Sequence, residues 1–137
     1  MNWIAIAFET TWFYVLAIVV AAIYGLGGLV HVANMVGLGE VKWRDAPLAW
    51  KVGDVMWGIL DIAAVILVIL RAHMGLLAIL IAAVSQIVIY GFFPTLFALN
   101  ETQRKALRGM VIFHVVVIAI LGTSLYLAVT PDGPHSQ

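Results

Sequence analysis

Two aspartates and two histidines lie inside otherwise apolar runs of this chain, and they are the side chains with most chemistry to offer. Ionisable groups away from water are costly unless paired or hydrated, and they tend to face the interior of a helix bundle. Asp54 and Asp61 are seven residues apart, nearly two helical turns, so both fall on one face with Trp57 between them. Gly58 thins the helix beside them. Asp54 has two readings: an interfacial carboxylate paired with Lys51 or Arg108, or part of a buried site. Asp61 has no basic residue near it in the sequence. It is either a neutral acid bonded to Gln86 or Tyr90 as glue between helices, or a group that exchanges a proton or holds a ligand. Gln86 and Tyr90 are four residues apart and share a face, with Ser85 beside Gln86. Pro94 frees a backbone carbonyl about one turn before it, near Tyr90.

The second constellation is GLGGLVHVAN at 25–34. Tyr24, Gly27, Gly28, His31, Asn34 and Met35 form one helical stripe. Small residues allow close helix crossings in membranes, so Gly27 and Gly28 clear room either for a neighbouring helix or for a ligand. In the first case His31 donates to a carbonyl or to Asp54. In the second, His31 and His114, at similar depth on the first and last long segments, act as ligands. Two imidazoles can hold haem b from both faces; with Asp54 they can bind a transition metal; one of them can hydrogen-bond a quinone. Lys42, Arg44 or Arg108 would meet haem propionates. His73 and His135 fall in polar segments and read as solvated.

These side chains must be positioned by membrane helices. The chain has 137 residues, 64% hydrophobic and 10% charged, with mean hydropathy +1.10. A soluble domain is nearer half apolar and a quarter charged, and so small a globule cannot hide this much apolar surface. The composition predicts an all-α integral membrane protein of one domain, 1–137, in contact with the lipid bilayer. Net charge is zero, which argues against a nucleic-acid partner. The absence of cysteine removes disulfides, thiolate metal sites and cysteine nucleophiles. No phosphate-binding glycine loop, HExxH or exposed serine triad is visible, so the sequence leaves enzymatic activity undecided.

A bilayer core takes about 20 helical residues. The hydropathy pattern predicts spans over about 11–36, 49–70, 74–99 and 107–129, an antiparallel four-helix bundle with short connections. Residues 2–8 are apolar too, and a break near Glu9, Thr10 and Thr11 would make them a short interfacial lead; otherwise the first helix is strongly tilted. No Lys or Arg precedes Lys42, so the start lacks the basic segment of a secretory leader and the first span is expected to be retained. Asn100 is a candidate N-cap for the last span, and the tail from Thr130 is expected to fray. The connections 37–48 and 100–106 and their flanks carry Lys42, Arg44, Lys51, Arg104, Lys105 and Arg108, whereas the opposite side has Arg71 alone. Basic residues favour the cytoplasm, which predicts both termini outside, in a bacterial inner membrane.

Three functions fit these residues. In the first, the protein binds or transports a small ligand, ion or proton, as a homo-oligomer or with a partner, using Asp61, Asp54, Gln86, Tyr90 and Trp57. In the second, it is a redox protein built on His31 and His114, with Gly27, Gly28 and Asn34 around the cofactor. In the third, it is an accessory subunit of a larger membrane complex, and its polar residues are glue. Asp61 at mid-membrane is expensive as glue alone, which ranks the first reading ahead.

Overall fold

Proline and polar residues decide where the apolar chain stops and starts. In the computed structural model, which describes residues 3–39 and 41–130, the helices are α1 (Trp3–Glu9), α2 (Thr11–Met35), α3 (Leu48–Ile69), α4 (Met74–Phe92) and α5 (Glu101–Val129). Short 3-10 turns occupy Trp43–Asp45 and Pro94–Leu96. Four of the helices, α2 to α5, are long and apolar enough to cross a membrane.

The break expected near Glu9 falls at Thr10, whose extended backbone (φ −78°, ψ 111°) caps α2. The preceding helix α1 is more than a surface lead. Ala7 and Phe8 are buried, and Phe8 meets Phe13 edge to face with ring centroids 5.8 Å apart. Pro47 caps α3, where its fixed φ and missing N–H cost nothing.

Two boundaries differ from the hydropathy reading. The third span ends at Phe92, not near 99, because Pro94 disfavours helical backbone at Phe93 (φ −127°, ψ 44°) although the residues beyond stay apolar. The fourth begins at Glu101, not near 107. Asn100 caps it, its side chain accepting from the Gln103 backbone N–H at 2.9 Å, while the Gln103 side chain accepts from Leu99 N–H at 2.7 Å. This reciprocal capping starts a helix in a segment rich in good helix formers, so the basic residues 104–108 are helical rather than loop. The tail 131–137, with His135, lies outside the described residues.

Both long hairpins close with the same carbonyl pattern. After α2, Gly37 (φ 83°) donates to Asn34 O and Leu38 to Ala33 O. After α3, Arg71 takes the left-handed position (φ 54°), donating to Val68 O, while Ala72 donates to Leu67 O. Glycine usually fills that position because a side chain is strained there. Arg71 is held by other bonds: its guanidinium donates to Phe8 O at 3.1 Å and lies 4.1 Å from the Tyr14 ring centroid. Arg71, the one Lys or Arg at that end of the bundle among the described residues, is thus committed to tying α1 and α2 to the α3–α4 turn.

The helices pack in chain order, α2 on α3, α3 on α4 and α4 on α5, while α2 and α5 meet only sparsely. The bundle has two unlike ends. Around the α3–α4 turn the core is apolar, built from Phe8, Phe13, Ala17, Ala64, Val68 and Ile79 with their neighbours. Toward the basic end, Trp57 packs against Tyr90 and Phe97 at centroid distances of 5.1 and 5.6 Å, and Trp50 Nε1 donates to Leu96 O at 2.9 Å. Between these two cores lie the buried polar groups.

Candidate functional site: a buried carboxylate–histidine line beside a cleft

The α2–α3 crossing brings His31 onto Asp54. His31 Nδ1 lies 2.7 Å from Asp54 Oδ1, and Asn34 Nδ2 donates to the same oxygen at 3.1 Å. Asp54 therefore pairs on α2, not with Lys51 or Arg108; Lys51 Nζ donates instead to Arg44 O at 3.0 Å. The other imidazole nitrogen, Nε2, lies 3.9 Å from Asp61 Oδ2. That gap is too long for a direct hydrogen bond, but a water or a small side-chain rotation can bridge it. A single imidazole thus stands between two carboxyl groups two turns apart on α3.

Asp61 is 2% exposed, and its Oδ1 has no hydrogen-bond partner. Neither Gln86 nor Tyr90 reaches it as glue. Gln86 Oε1 instead lies 3.0 Å from His114 Nε2, and the Tyr24 hydroxyl lies 2.8 Å from His114 Nδ1. Because the Gln86 oxygen only accepts, His114 carries its proton on Nε2 and donates there, while Nδ1 accepts from Tyr24. Both nitrogens of His114 are engaged.

The glycine stripe has two separate tasks. A Cβ on Gly28 would come within 3.1 Å of Asp61 Cβ and 3.3 Å of Ile62 Cγ1, so Gly28 clears room for α3 itself. One on Gly27 would approach the Asp61 carboxyl oxygen Oδ2 at 3.1 Å. Gly27 also lines a cleft of about 180 Å³ where α2 and α5 diverge, together with Tyr24, His31, Asp61, Gln86 and His114. Ile23, Met110 and Phe113 form its apolar rim. Asp54, Asn34, Trp57 and Tyr90 lie off this cleft. Trp57 Nε1 donates to Ser85 Oγ at 3.0 Å, and Tyr90 belongs to the aromatic cluster with Trp57 and Phe97.

His31 and His114 thus border one cleft, each through different partners. Among the described residues no group of three His, Asp or Glu side chains is gathered closely enough to hold a metal ion, so His31, His114 and Asp54 do not form a three-ligand set. Haem ligation from both sides would require His114 to release Tyr24 or Gln86. The cleft is also smaller than the roughly 300–1,000 Å³ of sites for drug-sized ligands. At roughly 30 Å³ per water molecule, it suits a few waters or a ligand of similar size. Tyr24 is the participant that sequence reasoning left out of the site; its place seven residues before His31 on the same stripe was the available signal.

The class of protein is defined by these features: an all-helical bundle with four membrane-length apolar helices and a polar, partly unsatisfied interior. Comparisons of the chain with protein-family models, curated proteins and solved structures find no match, so its chemistry is read from the site alone.

Proposed function

We propose that this chain is a small integral membrane protein that handles a proton, together with a small ligand or ion in the α2–α5 cleft, through the line Asp61–His31–Asp54. The observation that carries this reading is the buried Asp61 Oδ1 without a partner at the edge of a cleft. A buried carboxyl oxygen left unsatisfied costs about 1–3 kcal/mol, a cost that a bound donor would remove. The ligand chemistry that fits is therefore a hydrogen-bond donor or a small cation of a few heavy atoms.

The proton route follows from the donor pattern. His31 donates from Nδ1 to Asp54, leaving the Nε2 lone pair toward Asp61. A proton released from Asp61 is taken up at Nε2, and the Nδ1 proton passes to Asp54 Oδ1, so the imidazole changes tautomer without accumulating charge. Asp54 lies six residues after Leu48, the first residue of α3, and its side chain keeps 11% exposure, which gives the line its exit toward the basic end. Reorientation of the ring, or transfer in reverse, resets the line. On the loop charges the basic end faces the cytoplasm and the termini lie outside. Along α5 only Leu107, His114 and Val117 are buried, which leaves the flank of the cleft to be covered by lipid, a second copy or a partner helix.

The test is proton uptake into vesicles carrying an entrapped pH dye, driven by a potassium diffusion potential. Wild type is expected to acidify the lumen faster than empty vesicles. Asp61→Asn is expected to return the rate to that of empty vesicles while helicity and elution volume stay unchanged. Wild-type vesicles no faster than empty ones, or an Asp61→Asn rate equal to wild type, would exclude the proposal.

A further inference from the structure

A second cavity, of about 450 Å³, opens between the end of α4 and the first turns of α5 and shares no residue with the cleft. Its existence follows from the early stop of α4. Pro94 turns the chain away after Phe92, and a Cβ on Gly91 would meet nothing within 4 Å. Arg104 and Arg108 line this space along with Tyr90, Gly91 and Val111. Four residues apart, the two arginines share one face of α5. Their charges are nearly unspent. Arg104 meets Glu101 at 3.8 Å, a pair with both side chains about half exposed, and such pairs contribute little. Among the described residues Arg108 has no carboxylate within ion-pair distance.

The surroundings continue the same pattern along the bilayer normal. Val111 and Ile112, the latter 64% exposed, line the cavity about one turn deeper than Arg108. Charge thus sits at the helix end with an open apolar flank below it, the polarity of a phospholipid molecule. Guanidinium groups bind phosphate in a forked, two-point geometry, and basic pockets between membrane helices suit anionic headgroups.

We propose that the α4–α5 cavity binds an anionic phospholipid, its phosphate held by Arg104 and Arg108 and an acyl chain lying along Val111 and Ile112. The site stands on observations separate from the proton line and holds whether or not that line conducts.

Native mass spectrometry of the purified protein, titrated with phosphatidylglycerol or phosphatidylcholine in detergent, tests it. Wild type is expected to retain phosphatidylglycerol preferentially. Arg104→Gln with Arg108→Gln is expected to weaken that binding by about thirtyfold, from roughly a factor of five per basic residue at a membrane surface. Gly91→Leu fills open space without changing charge and is expected to abolish the preference in a protein of unchanged helicity. Lys42→Gln with Lys105→Gln removes the same charge outside the cavity and is expected to leave most of the preference intact. Equal loss in that control pair, or undiminished binding in Gly91→Leu, would overturn the cavity as the site. Displacement of the lipid by millimolar inorganic phosphate, but not by chloride at matched ionic strength, would overturn the lipid as its occupant.

Discussion

The two ends of this bundle solve different problems with the same four helices. At the α3–α4 turn, the interior holds Phe13, Ala17, Ala64, Val68, Ala82 and Ala83, all buried and without a polar group to satisfy. Toward the basic end, the interior holds Asp54, Asp61, Gln86 and His114, also buried, with Asp61 left incomplete. The first region packs side chain against side chain with little polar demand, the Trp12 indole being its exception, and carries a wholly apolar groove of about 220 Å³ between α4 and α5 at its edge. The second also has open space, the cleft of about 180 Å³ beside α2 and α5, but there the lining is polar. In lipid, apolar burial contributes little between helices, and close packing carries the association. The apolar end therefore holds the bundle together, and the polar end is free to be imperfect.

The strongest way to break this comparison is to injure the apolar end. Phe13 is fully buried among Phe8, Trp12 and the alanines. Phe13→Ala is expected to cost about 3 kcal/mol through the cavity it leaves, measured as unfolding free energy in mixed micelles. Proton uptake per folded molecule should stay at the wild-type level. A variant that keeps its stability but loses uptake would place function at the wrong end.

Gly28→Leu probes the boundary between the regions. Its side chain would press on Asp61 and Ile62, and overpacking of this kind costs about 1–3 kcal/mol. Because the displaced residue is Asp61, uptake should fall together with stability, unlike in Phe13→Ala. Wild-type stability in micelles would mean that α2 and α3 are not tightly crossed at Gly28.

Gln86→Leu lies wholly in the polar region. It leaves the His114 Nε2–H without its acceptor. Hydrogen bonds between membrane helices are worth about 0.6 kcal/mol on average and up to about 1.7, and this fully buried one is expected to cost about 1 kcal/mol. A loss near that of Phe13→Ala would make the polar end a stability core after all.

How much of this was legible depended on what each feature needs. The spans follow from hydropathy, and the cap at Asn100 and the break at Thr10 follow from local chemistry. The early end of α4 was harder to read because FFPTLFALN stays apolar through the turn that Pro94 imposes. The first turns of α5 were masked by their charge, although Glu, Gln, Arg, Lys and Ala are all good helix formers. Depth is counted along the chain, which assigns His31 and His114 similar levels; in the bundle His114 is bonded to Tyr24, two turns from His31 along α2. The rotation of each helix about its axis could not be read. That rotation turns His114 to Tyr24 and Gln86, sends Tyr90 away from the cleft, and gives Asp54 to His31 rather than to Lys51.

The finest distinction concerns Ser85, where the two regions touch through one side chain. Its hydroxyl donates to Ala82 O at 2.9 Å and accepts from Trp57 Nε1 at 3.0 Å. Trp57 also stacks near His31, with ring centroids 5.9 Å apart. Ser85→Ala removes the acceptor but leaves the indole packed on every other side, so the stability cost should be about 0.6 kcal/mol, the average for such bonds. If Trp57 only fills space, proton uptake will be unchanged and the fluorescence of that tryptophan will shift slightly. If the bond to Ser85 fixes the indole against the His31 ring, and so fixes the ring between its two carboxyl groups, uptake will slow by more than the small loss of stability explains. The second outcome is expected, because among the described residues Trp57 is the aromatic ring that lies against His31.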